Sequence, residues 1–373
     1  MKRWCVSIAT ALVATLFVAG CGGSDDGPTL GETKVTRQEV APALYELAYS
    51  PSEKRVYVVS SGSSGDDPEP SKVFWLDADD LKIQGELPLQ TSGFGMALDD
   101  DANRLYLGNT RDGSVTVVDT DSKKVVTELQ LTEKVMAPGR DGEMAERPAH
   151  SFRELVLDPS RHRLYLPGMS AESALYVVNT ETLELEKIIE GFGANATGIT
   201  RNPDGSRVYV STMKGELYTV DADRLAIVSK AEPEGEVLLN LAFDNARNHV
   251  LATDRETQPG EDGAPIDPHN DNQVLVIDAD SGKTLAHLPS DAGTLAILMD
   301  QKRDLLYATN RDGHTVTVYD MGSQEKLRTV DLPTYPNSLA LDPASGAVYV
   351  SIKNDRDAPA GSAESVARIS FAD

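Results

Sequence analysis

The chain has 373 residues and carries 59 acidic against 35 basic side chains, which gives a formal net charge of -24 at pH 7. A surface this acidic repels nucleic-acid phosphates and anionic lipid headgroups, so the net charge disfavours nucleic acid as a partner and favours cations and basic partners. Hydrophobic residues make up 40% of the chain, which supports a folded core and argues against a multi-span membrane protein.

The N-terminal segment has the features of a bacterial export signal. Lys2 and Arg3 precede an apolar stretch that is too short to span a bilayer. The stretch ends in Val-Ala-Gly-Cys at Cys21, which resembles the lipobox of bacterial lipoproteins. The resemblance implies that residues 1–20 are a signal peptide, that Cys21 becomes the lipidated first residue, and that residues 21–32 are a flexible tether. An ordinary signal peptide that is cut nearby is the alternative.

The lipobox resemblance also sets expectations for location and cysteine chemistry. We expect an exported monomer that touches the membrane through its lipid anchor only. Because Gly22 follows the cysteine in place of the Asp that retains enteric lipoproteins in the inner membrane, we expect the outer membrane in a Gram-negative cell. The other cysteine, Cys5, lies in the removed segment, so the mature chain has no thiol for a disulfide, a zinc–thiolate site or haem attachment.

A short β-rich tetrapeptide, such as YVST or YATN, recurs seven times. The copies begin at Tyr57, Tyr106, Tyr165, Tyr209, Leu251, Tyr307 and Tyr349. After most copies a second strand ends in an acidic or amide residue, as in TVVD at Asp119, and an apolar strand precedes them. The repeat period is about 42 residues once local insertions are removed, and a period of this length with four strands is typical of β-propeller blades.

The two ends of the repeat region complement each other. The last unit ends one strand short, and an extra strand at residues 33–40 precedes the first complete unit. We therefore predict an all-β fold over residues 33–373, a seven-bladed β-propeller in which the N-terminal strand completes the last blade. Such a closure removes an open sheet edge.

The tetrapeptides, together with the GxVxVxD stretch at residues 113–119, resemble the YVTN family of β-propeller repeats. This family includes YncE-like periplasmic proteins and archaeal surface-layer proteins, and the resemblance covers residues 33–373. It implies the propeller fold but leaves the activity open, because propellers host many functions. Some YncE-like relatives have been linked to single-stranded DNA, and related propellers include quinoprotein subunits and a lactonase.

The positions of the long insertions indicate which face binds a ligand. Insertions at residues 60–71, 132–153, 254–272 and 353–364 all fall on one face of the predicted propeller, and binding residues commonly lie on such loops. The starts of the inner strands should ring the channel mouth on that face. The candidate ligand-binding residues are Tyr45, Glu46, Phe94, His150, Arg153, Glu154, Asn240, Tyr335 and Asn337. A water-filled channel without a ligand is the alternative.

The insertion at residues 254–272 is rich in oxygen donors that suit calcium, namely Asp254, Glu261, Asp262, Asp267 and Asp271. Their spacing departs from that of a calcium-binding loop, and acidic clusters are often simply solvated. Calcium is therefore an open alternative, and no other cofactor is predicted. No nucleophile elbow, P-loop or dinucleotide fingerprint occurs in the sequence, so no catalytic residue is assigned.

These features favour a non-catalytic binding or scaffold propeller that recognises a protein, a peptide or a small polar ligand. One alternative is an enzyme of the lactonase or quinoprotein-dehydrogenase type that uses the channel mouth. A second alternative is single-stranded DNA binding, which requires a basic groove with aromatic side chains. Arg140, Arg147 and Arg153 are the candidate basic patch for it, with Phe94, Phe152, Phe192 and Tyr335 as aromatic residues near the mouth.

Overall fold

The computed structural model describes residues 30–63, 68–138, 142–255 and 272–372. Seven antiparallel sheets form the blades of a propeller. Blade one comprises β2 (Leu44–Ser50), β3 (Arg55–Ser60), β4 (Lys72–Asp77) and β5 (Ile83–Pro88), and blade two comprises β6 (Gly95–Asp99), β7 (Arg104–Asn109), β8 (Ser114–Asp119) and β9 (Lys124–Gln130). Blade three comprises β12 (Ser151–Phe152), β13 (Val156–Asp158), β14 (Arg163–Met169), β15 (Ala174–Asn179) and β16 (Glu184–Ile189).

The remaining four blades repeat this pattern. Blade four comprises β17 (Ala196–Arg201), β18 (Arg207–Thr212), β19 (Leu217–Asp221) and β20 (Ala226–Ala231), and blade five comprises β21 (Leu238–Asp244), β22 (His249–Asp254), β23 (Gln273–Asp278) and β24 (Thr284–Pro289). Blade six comprises β25 (Thr294–Asp300), β26 (Leu305–Asn310), β27 (Thr315–Asp320) and β28 (Glu325–Asp331). Blade seven comprises β29 (Tyr335–Leu341), β30 (Val348–Lys353), β31 (Glu364–Phe371) and β1 (Thr33–Ala41).

The N-terminal strand closes the ring as predicted. Strand β1 pairs with β31 in antiparallel register, from Thr33 opposite Phe371 to Ala41 opposite Glu364. The Glu364 carboxylate then accepts a hydrogen bond of 2.6 Å from the backbone N–H of Leu44, where blade one begins. The first and last described strands are thereby joined in one sheet, and the prediction of an all-β, seven-bladed propeller is confirmed.

The recurrent tetrapeptide supplies the core between the blades. Its first residue is at most 2% exposed in all seven copies, including Leu251, which replaces the usual tyrosine. The buried apolar side chains of the described residues form seven clusters, each shared by two neighbouring blades. Burial of this apolar surface is the main force that holds the blades together.

The acidic or amide residue that ends the third strand in blades one to six has a structural role. In blade two, the Asp119 carboxylate accepts a hydrogen bond of 2.7 Å from the N–H of Ser122, which closes the turn to the outer strand. The next residue, Lys123, has a positive φ of 54°, a conformation that such turns require at this point. Equivalent residues with positive φ occur in the same turn of six blades, namely Leu81, Lys123, Leu183, Leu225, Gly282 and Gln324.

The propeller has two faces, the mouth face and the opposite face. We label the strands of each blade A to D from the channel outward. The mouth face carries the B–C turns and the D-to-A connections, and the opposite face carries the A–B and C–D turns. The strand order places the strand ends that flank all four insertions on the mouth face. One insertion contains a further pair of antiparallel strands, β10 (Lys134–Pro138) and β11 (Met144–Pro148).

Several predicted features lie outside the described residues. They are the signal peptide at residues 1–20, Cys21 and its tether as far as residue 29, and residues 256–271 of the acidic insertion. Within the part of the chain that the structure describes, no helix is long and apolar enough to cross a membrane.

Candidate functional site

A cavity of about 350 Å³ lies at the mouth-face end of the central channel. Its wall is built by the first residues of the A strands and by residues that follow the B strands. Seven of the nine candidate ligand-binding residues line it: Tyr45, Glu46, Phe94, Arg153, Glu154, Asn240 and Asn337. The structure therefore brings these side chains together, and their binding of a ligand stays a prediction.

His150 and Tyr335 do not line the cavity, and the reason differs between them. The His150 ring lies against blade three, where its two nitrogens are 3.0 Å from the Tyr176 hydroxyl and from the Glu172 carbonyl oxygen. Phe152 is fully buried beside the same tyrosine, with ring centroids 5.0 Å apart, so His150 and Phe152 both pack on Tyr176. Tyr335 lies behind the cavity wall, where its ring supports the Arg311 guanidinium.

Three cationic residues of the cavity wall were not among the candidates: Arg255, Arg311 and Lys353. Each directly follows the tetrapeptide of its blade, in blades five, six and seven. That position lies at the mouth-face end of strand B, next to the start of strand A. The sequence signal was therefore present, as a basic residue immediately after three consecutive copies of the repeat.

The cations at the mouth lie on aromatic rings. The Lys353 amino group is 4.0 Å from the ring centre of Tyr45, and it also donates to the Glu364 carboxylate at 3.1 Å. The Arg311 guanidinium is 5.3 Å from the ring centre of Tyr335, and the Arg111 guanidinium, on the rim, is 5.7 Å from that of Phe94. Burial lowers the pKa of Lys353, although the nearby carboxylate opposes that change. These contacts hold positive charge at the mouth of a strongly acidic protein.

Two carboxyl groups lie deeper in the same cavity. Glu46 accepts a hydrogen bond from the Ser338 hydroxyl, and Glu154 accepts one of 2.9 Å from the Asn240 amide. Each keeps some accessible surface, but this surface faces the enclosed channel, so the carboxyl groups are poorly solvated. Burial raises the pKa of Glu46 to about 7. Burial, and then the charge of Glu46, raise the pKa of Glu154 well above its ordinary value.

The candidate calcium ligands have only one described member, Asp254; Glu261, Asp262, Asp267 and Asp271 lie outside the described residues. One oxygen of Asp254 accepts hydrogen bonds of 3.0 Å from the N–H groups of Glu236 and Val237, and the other accepts one of 2.9 Å from Gln273. These bonds fasten the connection from blade four, just before β21, to strands β22 and β23 of blade five, so this carboxylate has a structural role. Across the described ranges, no three His, Cys, Asp or Glu side chains are grouped as a metal site.

The aromatic and basic residues proposed for DNA binding are only partly at the mouth. Phe152 and Phe192 are buried between blades, because the hydrophobic core takes their rings. Arg147 lies on the β11 strand and Arg140 lies outside the described residues. The cationic groups that reach the cavity with Arg153 come instead from Arg255, Arg311 and Lys353.

Comparison with known proteins gives full-length relatives. The chain is 30% identical over 349 residues to the uncharacterized protein YncE of Salmonella typhimurium, covering 92% of each chain. It is 29% identical over 329 residues to YncE of Escherichia coli K12, covering 87% of each. No family model matches the sequence. Among solved structures, hydrazine synthase of Kuenenia stuttgartiensis superposes with a TM-score of 0.67 at 19% identity, over 88% of this chain and 95% of that one. This last likeness concerns the fold alone.

Proposed function

This chain belongs to the YncE family of β-propellers, and on that scaffold we propose that it acts as a non-catalytic binding module that holds a small polar ligand in the mouth cavity. The observation that carries the proposal is the cavity of about 350 Å³ shared by cationic side chains, aromatic rings and two buried carboxyl groups. Small-ligand sites are concave, largely preformed and marked by a few convergent polar groups, and perturbed pKa values of the kind found at Glu46 are typical of functional sites.

The test is native mass spectrometry of the purified chain after incubation with the low-molecular-mass fraction of a bacterial cell extract. We expect a bound small molecule on the wild type and its loss from the double variant Arg255→Ala/Arg311→Ala. The matched control is Arg224→Ala, which removes an exposed arginine on the opposite face and should leave the adduct in place. No adduct on the wild type, or an adduct that persists in the double variant, would overturn the assignment.

Single-stranded DNA is the second candidate, and one observation favours it. Arg111 on Phe94 and Arg311 on Tyr335 form cation–aromatic pairs at the rim, the combination that stacks bases and neutralises phosphates. The net charge of -24 opposes such binding. Fluorescence anisotropy with a labelled oligothymidine tests this candidate. Binding that weakens steeply with salt and is lost in Arg111→Ala/Arg311→Ala supports it. Absence of binding at low salt excludes it.

We also propose that the module is held at the outer membrane by lipid on Cys21, as the lipobox at residues 18–21 suggests. Stable membrane attachment of a soluble domain takes two acyl chains, or one acyl chain together with a second membrane-binding signal. Labelled palmitate should enter the wild type and not Cys21→Ala, and an unlabelled wild type would contradict the proposal.

A further inference from the structure

We propose that the ligand of the mouth cavity is a small zwitterion, with its acidic group held by Arg255 and Arg311 and its amino group placed against Glu46 and Glu154. This inference rests on the proposed function and names the chemical class of its ligand. The observation behind it is that a layer of cationic side chains and a layer of carboxyl groups line one cavity.

The outer layer offers N–H donors for an anion. The Arg255 guanidinium bonds Asp312 through one terminal nitrogen at 3.1 Å, whereas its Nε is buried and has no hydrogen-bond acceptor among the described residues. Arg311 has no carboxylate within 4 Å among these residues, and its guanidinium lies on the ring of Tyr335. Planar guanidinium groups with donors left over match the paired oxygens of a carboxylate or phosphate.

The inner layer offers oxygen acceptors for a cation. Glu46 and Glu154 each accept one hydrogen bond from a neutral neighbour, Ser338 and Asn240 respectively. Their other oxygens, Glu46 Oε1 and Glu154 Oε2, accept none from the described part of the chain. The positive charge of Arg153 lowers the pKa of Glu154, but burial and the charge of Glu46 still raise it overall. Two neighbouring carboxyl groups that are largely removed from water are unfavourable when both are ionised, so a bound ammonium would complete this layer.

The strand register separates the two layers along the channel. In blade seven Ser338 pairs with Ser351, two residues before Lys353. In blade five the N–H of Asn240 bonds the Thr253 hydroxyl at 3.0 Å, two residues before Arg255. At roughly 3.3 Å per strand residue, the backbone of Ser338 and Asn240, which bond the two carboxyl groups, lies about 7 Å below that of the cationic residues. The arginine and glutamate side chains extend into the cavity from the two layers and shorten this distance. The remaining gap is of the order that separates the acidic and amino groups of one small molecule.

Charge balance favours a zwitterion over a free cation or a simple anion. Four cationic side chains in the same cavity repel a free metal ion or amine, and this repulsion is offset when the amine carries its own acidic group. A simple anion satisfies the arginines but brings no positive charge to the two carboxyl groups. The Ser338 hydroxyl and Asn240 amide already point hydrogens at the carboxyl oxygens, which suits an ammonium better than a divalent ion that needs further oxygen ligands.

The test is isothermal titration calorimetry of the whole mature chain in EDTA. The probes are the twenty common L-amino acids and the ω-amino acids from β-alanine to 6-aminohexanoate, each compared with its N-acetyl derivative, which keeps the acid and loses the ammonium. We expect at least one zwitterion to bind at least tenfold more tightly than its N-acetyl form. The preference should vanish in Glu46→Gln/Glu154→Gln and persist in Glu172→Gln, an exposed carboxyl on the mouth face outside the cavity.

A second readout on the wild type keeps the proposal falsifiable if the double variant fails to fold. An ammonium beside Glu46 favours the ionised carboxylate, so zwitterion binding should release protons, seen as a dependence of the binding heat on the buffer. Any one of four results would overturn the zwitterion proposal. They are proton uptake, equal affinity for the N-acetyl forms, binding that requires added calcium, and no binding of any probe at 10 mM. The native mass-spectrometry adduct, which uses no assumed ligand, would still decide the proposed function.

Discussion

Arg247, on the opposite face, donates to Asp244 at 2.9 Å and to Asp304 at 2.8 Å, whereas Arg311, on the mouth face, has no carboxylate partner among the described residues and rests on Tyr335. The carboxylates differ in the same way. Asp244 is fully buried and accepts hydrogen bonds from backbone and arginine, whereas Glu46 accepts one from a serine. Arg247 and Asp244 on the opposite face bond each other, whereas Arg311 and Glu46 at the mouth are not bonded to any oppositely charged group among the described residues.

The structural use of charge on the opposite face recurs. The pattern Asp-x-x-Arg occurs in the A–B turns of blades three, five and six, at residues 158–161, 244–247 and 300–303. In each, the aspartate is fully buried and its arginine bonds it at 2.9 to 3.3 Å. The same arginine also bonds the next blade, as when Arg303 donates to the Ala344 carbonyl oxygen at 3.0 Å. These turns therefore tie neighbouring blades together.

The largest expected effect tests this contrast between the faces. Arg247→Ala leaves Oδ2 of the fully buried Asp244 without its hydrogen-bond donor, and a buried acceptor that loses its partner costs about 1 to 3 kcal/mol. Arg311→Ala removes a group with no described ion pair and should cost less than about 0.5 kcal/mol. Urea denaturation of both variants measures the difference, and equal losses would contradict the division of roles.

The second prediction concerns pH. Burial raises the pKa of Glu46 to about 7, so between about pH 4.5 and 7 the folded chain retains a proton that the unfolded chain has lost. The stability that this proton contributes is present below about pH 4.5 and falls as the pH rises to about 7. The loss is at most about 3 kcal/mol, because one pH unit corresponds to about 1.4 kcal/mol.

Glu46→Gln should remove much of this dependence, so that the variant exceeds the wild type in stability at pH 8 and matches it more closely at pH 5. Glu184→Gln, an exposed carboxyl on β16, serves as the control and should follow the wild type. Urea denaturation at the two pH values is the measurement. A wild type that becomes more stable from pH 5 to pH 8 while Glu46→Gln shows the same rise would refute the role given to this carboxyl.

The smallest effect is expected at the Arg255–Asp312 pair. Both side chains are partly exposed, at 21% and 30%, and ion pairs of this kind contribute about 0 to 1 kcal/mol. Asp312→Asn should therefore lower the free energy of unfolding by less than about 1 kcal/mol, against the larger loss in Arg247→Ala. A loss of several kcal/mol would show that the mouth cations are structural, as on the opposite face.

The candidate site shows how far sequence reasoning reached. Glu46 and Glu154 were found because the repeat fixes where each A strand begins, and the channel mouth follows from that position. His150 was wrong as a cavity residue because its place depends on how an inserted segment packs on Tyr176, which the repeat does not encode. Arg255 and Arg311 were missed because the repeat alone does not reveal that the residue after the tetrapeptide turns into the channel.

By itself, the sequence determined the propeller, its seven blades and its closing strand, because each blade is encoded locally by buried anchors and turn residues at a regular period. The tertiary structure decided which charges are paired and which are open, because pairing depends on side chains from different blades. Arg247 meets Asp304 from the next blade, and Glu154 of blade three meets Asn240 of blade five across the channel. Such contacts exist only once the ring is closed.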